Sequence, residues 1–275
     1  MTIWNRLAKL LPVAAIAATM LAATAPLAQA QSVIEEIKQR GTMRVGISTF
    51  VPWAMRDKAG ELIGFEVDIA KKIAEDMGVE IEFVPTAWSG IIPSLLAKKF
   101  DVIISGMTIT PERNLTVNFS NTLVHTEQQM AANIAMAGDF KKIEDFNKAE
   151  ITITCRRGAT SCIAAQRNFP QAQLRQFEDD AQAFQEVVNG NAHAMISSAP
   201  KPRFWTDANP DKIFLPFETE LARESEGIVV RKGDYDAINF FNNWIVINEN
   251  NGWIKDRQDY WFKNQSAWKD MVATD

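Results

Sequence analysis

Two runs of alternating strand and helix signals, separated by about a hundred residues, limit this chain to a small set of folds. Met43-Arg44-Val45-Gly46-Ile47 is a short apolar run, after which Phe65, Ile69, Ile73 and Met77 recur at helical spacing until Gly78 interrupts them. Val79 to Val84 then alternates apolar and acidic residues, Ile91, Leu95 and Leu96 mark a further helix, and Asp101 to Ser105 reads as a buried strand ending at Gly106. That order is β-α-β-α-β, the pattern of a parallel sheet. It restarts at Ile151-Thr152-Ile153-Thr154, passes through a helix beginning near Thr160 and another from Asp179 to Val188, and reaches a strand His193 to Ile196. Two α/β units of this size predict two lobes. The last segment, with Ile238, Phe241, Trp244 and Ile245 on one helical face and then Trp253 to Phe262, is too short for a third lobe and is expected to pack back on the first. Pro200-Lys201-Pro202 reads as a bend beside a strand end.

The first thirty of the 275 residues read as a secretory signal peptide: Arg6 and Lys9 precede the apolar run Leu10 to Ala25, and Ala28-Gln29-Ala30 is a small-residue cleavage site. The run is too short and too rich in Ala and Thr for a membrane span. No cysteine follows the cut, so a lipid anchor has no attachment point, and export as a soluble protein into a periplasm is expected. Without the signal, the 29 basic residues lose Arg6 and Lys9 and stand against 34 acidic ones, so nucleic acid is not an expected partner. No metal or cofactor is expected either. The two histidines, His125 and His193, have no second ligand at zinc spacing, and no nucleophile or phosphate-loop motif is present.

Three constellations stand out. Cys155 and Cys162, the only cysteines, bracket a strand-to-helix loop; in an exported protein a disulfide and a pair of buried thiols are both open readings. The enclosed loop, with Arg156, Gly158, Ala159 and Thr160, has the features of an anion site at a helix start, or of an ordinary N-cap. Ser105-Gly106-Met107-Thr108 through Arg113 sets hydroxyls and amides after a parallel strand, with an arginine five residues after Thr108, a combination able to hold one carboxylate.

Gly60-Glu61-Leu62-Ile63-Gly64-Phe65-Glu66-Val67-Asp68-Ile69-Ala70, Trp88 to Leu95, Ser105 to Arg113 and Phe119-Ser120, in this order, resemble the signatures of the periplasmic polar-amino-acid-binding proteins of ABC importers, bacterial extracellular solute-binding protein family 3. The resemblance runs from about Gly41 to Phe262. It implies a two-lobed periplasmic-binding-protein fold of type II, each lobe a mostly parallel sheet flanked by helices. Residues 31–124 and 227–275 would form lobe 1 and residues 125–226 lobe 2, with hinge crossings near 125–128 and 225–227. It also implies a monomer that gives its ligand to an inner-membrane permease, or docks on a membrane sensor.

Position by position, Phe50 and Trp88 match the aromatic pair that sandwiches a ligand side chain, and Ser105, Gly106 and Thr108 match a polar shelf. Arg113 matches the carboxylate clamp, and Thr160 a second-lobe donor, beside Arg156 and Ala159. The sequence departs from the family where an aspartate usually accepts the ligand's ammonium, because Ser198 stands there. Either Glu226, or Glu224 two residues earlier, replaces that acceptor, or the ligand is a carboxylate with a different second group. Arg156 at the mouth of the loop favours an added acidic group. The exported cyclohexadienyl dehydratases share this fold, and Glu226 falls at the position of their general acid, although the rest of their site finds no match. The expected function is therefore ligand capture without chemistry.

Overall fold

In the computed structural model, which describes residues 31–217 and 220–273, the chain builds two sheets with a separate core around each. The expected signal segment and its cleavage site lie outside the described residues. The first sheet has the order β4-β1-β5-β13-β6, from β1 (Thr42–Ile47), β4 (Glu80–Pro85), β5 (Val102–Ile103), β6 (Val117–Phe119) and β13 (Val229–Arg231). β1 runs parallel to both neighbours, with Val45 opposite Phe83 and Val102, while β13 is antiparallel to β5 and β6. A two-residue hairpin, β2 (Met55–Arg56) with β3 (Leu62–Ile63), leads into the helix Phe65–Met77.

That helix forms because its apolar positions recur at helical spacing: Phe65, Ile69 and Ile73 are buried, and Gly78 ends it in the left-handed region with its N–H on Ala74 O and Glu75 O. The C-terminal helices Tyr235–Asn250 and Trp253–Gln258 bring Phe241, Trp244, Ile245 and Ile254 into the same core as Val45 and Phe65, so the last forty residues cover the first sheet.

The second sheet has the order β11-β7-β10-β8-β9, with β12 also on β7. Its strands are β7 (Val124–Asn133), β8 (Thr152–Arg156), β9 (Gln173–Phe177), β10 (Ala194–Ser198), β11 (Ile213–Phe214) and β12 (Ala222–Glu226). β8, β9 and β10 are parallel, whereas β7 is antiparallel to β10, β11 and β12. The chain leaves the first sheet between Phe119 and Val124 and returns between Glu226 and Val229, and these two passages lie side by side, with Val124 paired to Glu226.

Two local readings differ from the structure. The strand expected over Asp101 to Ser105 is reduced to Val102–Ile103; at its start the Asp101 carboxylate accepts from the backbone N–H and guanidinium of Arg44 at 2.8 and 2.9 Å, and past its end Ser105 turns its hydroxyl to Ser48 N. Pro200-Lys201-Pro202 is the start of the helix Lys201–Ala208, where a helix needs no proline N–H donor, so the prolines begin an element instead of breaking one. No helix among the described residues is long and apolar enough to cross a membrane.

Candidate functional site

The ends of β5 and β8 and the loops that follow them face each other across the space between the sheets. From the first side, Gly106 takes φ +63°, and a Cβ there would stand 2.8 Å from Cδ1 of Trp53, so only glycine lets this turn lie against the indole. The turn carries Thr108, and Thr110 then caps the short helix Pro111–Asn114 that carries Arg113. From the second side, the helix Thr160–Asn168 starts directly after the loop 156–159, and its first residue, Thr160, is nearly buried.

Thr108 and Thr160 meet at a carboxylate, and the carboxylate belongs to the chain itself. Glu224 Oε2 accepts from Thr108 Oγ1, Thr160 Oγ1 and Gln128 Nε2, each at 2.9 Å. Gln128 Nε2 also donates to Ser198 Oγ at 2.9 Å. The position that lacks the usual aspartate is thus linked through one amide to an acidic side chain on β12. Arg113 reaches across both sides, Nη1 donating to Thr108 O at 2.8 Å and Nη2 to Gly158 O at 2.9 Å. Burial holds its pKa below the ordinary arginine value; the Glu224 carboxylate opposes that shift and the Arg156 guanidinium adds to it.

Arg156 ends β8, where the loop begins, and its side chain reaches into the cleft. Its guanidinium lies 4.4 Å from the Trp88 ring centre and 4.8 Å from that of Phe50, inside the aromatic pair expected to hold a ligand side chain. Trp88 Nε1 is engaged by Gly158 O at 3.1 Å. Beside them lies a buried ion pair that sequence reasoning missed, Lys201 Nζ to Asp180 Oδ2 at 2.7 Å, with Ser197 Oγ on the same oxygen at 3.3 Å. The helix that carries Lys201 was read as a bend, and an acid at the start of a helix such as Asp180 reads as a cap, so no local signal marked either. Phe50, Trp88, Gly106, Thr108, Arg156, Ala159, Thr160 and Ser198 all border one space of about 20 Å³, room for a single water molecule. Thr108, Thr160 and Glu224 also border a wider groove of about 750 Å³ that opens outward past Ile163 and Arg167.

Two expected site residues lie elsewhere. Ser105 Oγ accepts from Ser48 N at 2.9 Å and donates back to Ser48 O at 3.4 Å, so it ties β1 to the Gly106 turn. Glu226 does not border the cleft space. It is 2% exposed, and its oxygens accept from Trp53 Nε1 at 2.7 Å and Thr126 Oγ1 at 3.2 Å. Burial pushes its carboxyl up to about 8, against the pull of the Trp53 hydrogen bond, and the Glu224 charge adds to the rise. Glu66, equally buried, accepts from Gly106 N at 3.1 Å, and burial together with the Glu226 charge pushes it to about 8 as well. Of the two replacement acceptors considered for Ser198, Glu224 is the one that reaches the cleft.

His193 Nδ1 accepts from Thr152 N at 3.0 Å, and His125 Nδ1 meets Ser225 Oγ at 3.1 Å; neither borders the cleft. Among the described residues no cluster of acidic, histidine or cysteine side chains has a metal-holding arrangement. Cys155 and Cys162 are bonded, closing the loop that carries Arg156 and Thr160. A double serine variant is expected to lose about 2.5 kcal/mol of stability, the chain-entropy value for so short a loop. Melting with and without reductant measures it, and identical curves would remove the disulfide as a support of the site.

Comparison with known proteins matches residues 43–264 to the bacterial extracellular solute-binding proteins, family 3. The L-cystine-binding protein TcyJ of Escherichia coli (strain K12) is 25% identical over 233 residues, 84% of this chain and 86% of that protein. Cyclohexadienyl dehydratase of Pseudomonas aeruginosa is 25% identical over 256 residues, 91% of this chain and 94% of its own length. The crystal structure of the ancestral amino acid-binding protein AncCDT-1, a precursor of cyclohexadienyl dehydratase, superimposes with a TM-score of 0.77 at 39% identity, covering 84% of this chain and all of that one.

Proposed function

Because the chain belongs to the family 3 bacterial extracellular solute-binding proteins, we propose that it captures a small carboxylate-bearing, amino-acid-like solute between its two lobes. It then delivers that solute, as a periplasmic monomer, to the permease of an ABC importer. The observation that carries this reading is the meeting of Thr108 and Thr160 on one carboxylate, with Arg113 bridging the same two loops. Hydroxyls from the two sides converge on one carboxylate, so a ligand carboxylate taking the place of Glu224 would be held from both sides and would stabilise the closed form.

An entering carboxylate takes those hydroxyls from Glu224. The released Glu224, still within reach of Gln128 and Ser198, accepts the ligand's ammonium in place of the missing aspartate. A neutral Ser198 alone would leave that ammonium buried without a counter-charge, at a cost of several kcal/mol.

The test is a thermal-shift screen of residues 31–275, unfolded and refolded to strip carried ligand, against free amino acids and their N-acetyl forms. A true ligand at a hundred times its Kd adds about 2.7 kcal/mol, roughly 5 to 10 °C for a protein of this size. Glu224→Gln is expected to weaken free amino acids by about tenfold or more and to leave the N-acetyl forms unchanged. Failure of every carboxylate compound to raise the melting temperature would refute the capture reading.

One observation favours a second reading. Glu226 is a buried carboxyl held protonated near neutral pH, as a general acid must be, and a dehydratase is among the relatives. Both of its oxygens are engaged by Trp53 and Thr126, away from the cleft space, so capture is the better supported function. Release of phenylpyruvate from prephenate by the purified protein, lost in Glu226→Gln, would establish the enzymatic alternative.

A further inference from the structure

We infer that Arg156 is a second anion anchor, so that the solute carries two carboxylates and one ammonium, as an acidic amino acid does. This rests on the capture reading above and names the chemistry of its ligand.

Arg156 is 5% exposed, and its guanidinium carbon lies over the Phe50 and Trp88 rings, 4.8 and 4.4 Å from their centres. Aromatic faces attract the group by cation–π interaction but accept none of its conventional N–H hydrogen bonds. Those bonds are poorly met. Nη1 has only Thr49 O at 3.5 Å, and Nε is buried with no protein partner. Asp180, which borders the same space, is already paired with Lys201. A buried guanidinium with an unmet hydrogen-bonding edge is costly unless an anion completes it.

The charges in the cleft give the same answer. Lys201 and Asp180 cancel. Glu226 and Glu66, both raised to about 8, are mostly neutral at pH 7. Arg113 and Arg156 then stand against Glu224, with Asp179 also acting on Arg156 and Glu112 on Arg113, and the two guanidinia repel. A ligand with two carboxylates and one ammonium brings one net negative charge. One carboxylate meets Thr108, Thr160 and Arg113, the ammonium meets Glu224, and the second carboxylate meets Arg156. A lysine or arginine ligand would instead bring a third cation to an aromatic slot that Arg156 fills.

The experiment compares refolded wild type with Arg156→Met, which keeps an unbranched apolar stem without the charge, and with Arg156→Lys. The probes are glutamate and aspartate, each with two carboxylates and one ammonium, set against glutamine, lysine and arginine. Titration calorimetry follows every melting shift. For wild type, at least one two-carboxylate probe is expected to bind roughly 10- to 100-fold tighter than glutamine, the size of one charge-assisted contact. Arg156→Met is expected to bind the two-carboxylate probe no more than a few-fold tighter than glutamine, and Arg156→Lys to retain part of the margin. Preference of wild type for lysine or arginine, or tighter binding of those two by Arg156→Met, would mean that Arg156 only fills the slot until a cationic side chain displaces it. That overturns this inference and leaves solute capture standing. Absence of any shift with these probes, while another carboxylate of the wider screen raises the melting temperature, would overturn this inference and leave capture standing; absence throughout the wider screen would sink both. The wild-type preference decides the matter even if a variant does not fold.

Discussion

Replacing Arg113 by alanine is expected to remove most of the ligand affinity while leaving the fold intact. Its side chain spans the two halves of the cleft through Thr108 O and Gly158 O, and those two bonds occupy only two of its five N–H donors. The rest of the fork is available to a carboxylate that settles between Thr108 and Thr160. Truncating a hydrogen-bonded charge partner of this kind costs on the order of 2 to 5 kcal/mol, about 30-fold to several thousand-fold in Kd. The helix that carries it is four residues long and Arg113 is its half-buried member, outside the apolar cores, so far-UV circular dichroism and the ligand-free melting temperature should change little. Calorimetry with the best compound of the screen measures the loss. Affinity within a few-fold of wild type would show that the carboxylate is held elsewhere.

The second large effect is a loss of stability as pH rises. Glu66 and Glu226 sit near 8 in the folded protein and at the ordinary 4.5 when unfolded. Between those values the folded state holds protons that the unfolded state has released, so stability falls with increasing pH across that window and levels off above it. At about 1.4 kcal/mol per pH unit, one such group alone accounts for ~5 kcal/mol. The two carboxyls repel each other, so their joint effect is less than twice that. A fall in melting temperature on the order of 10 °C from pH 5 to pH 8 is expected. Glu66→Gln and Glu226→Gln should each flatten the curve and melt higher than wild type at pH 8. Variant curves running parallel to wild type would show that neither group carries the proton.

The two lobes were legible in the sequence because parallel strands and the helices between them carry their own period. Trp88, Thr108, Arg113 and Thr160 stand out as candidates in the sequence because each lies in a short motif at the end of such a strand. What the motifs concealed was reach. Arg156 belongs to the loop that was read correctly, yet its long side chain crosses to the facing lobe and enters the aromatic pair, which local spacing does not encode. Glu224 and Glu226 stand two apart on one strand and were interchangeable on paper. Their surroundings separate them: two threonines and an amide around the first, an indole and a single threonine around the second. Lys201 and Asp180 come from different helices, so only the folded chain pairs them.

The place of β13 also sets the order in which the molecule assembles. Every strand of the second sheet lies between Val124 and Glu226, so that sheet is complete as soon as those residues are present. The first sheet begins with Thr42 but has a gap between β5 and β6 until Val229–Arg231 arrives to pair with both. Its half-built edge offers unpaired backbone groups for as long as the chain is emerging. The connectivity predicts nested assembly, in which the later-made lobe can close first and the earlier-made one needs a strand encoded more than a hundred residues beyond its neighbours. A fragment ending before residue 229 would carry one finished sheet and one open edge, which makes the last fifth of the chain the step that ends its exposure to aggregation.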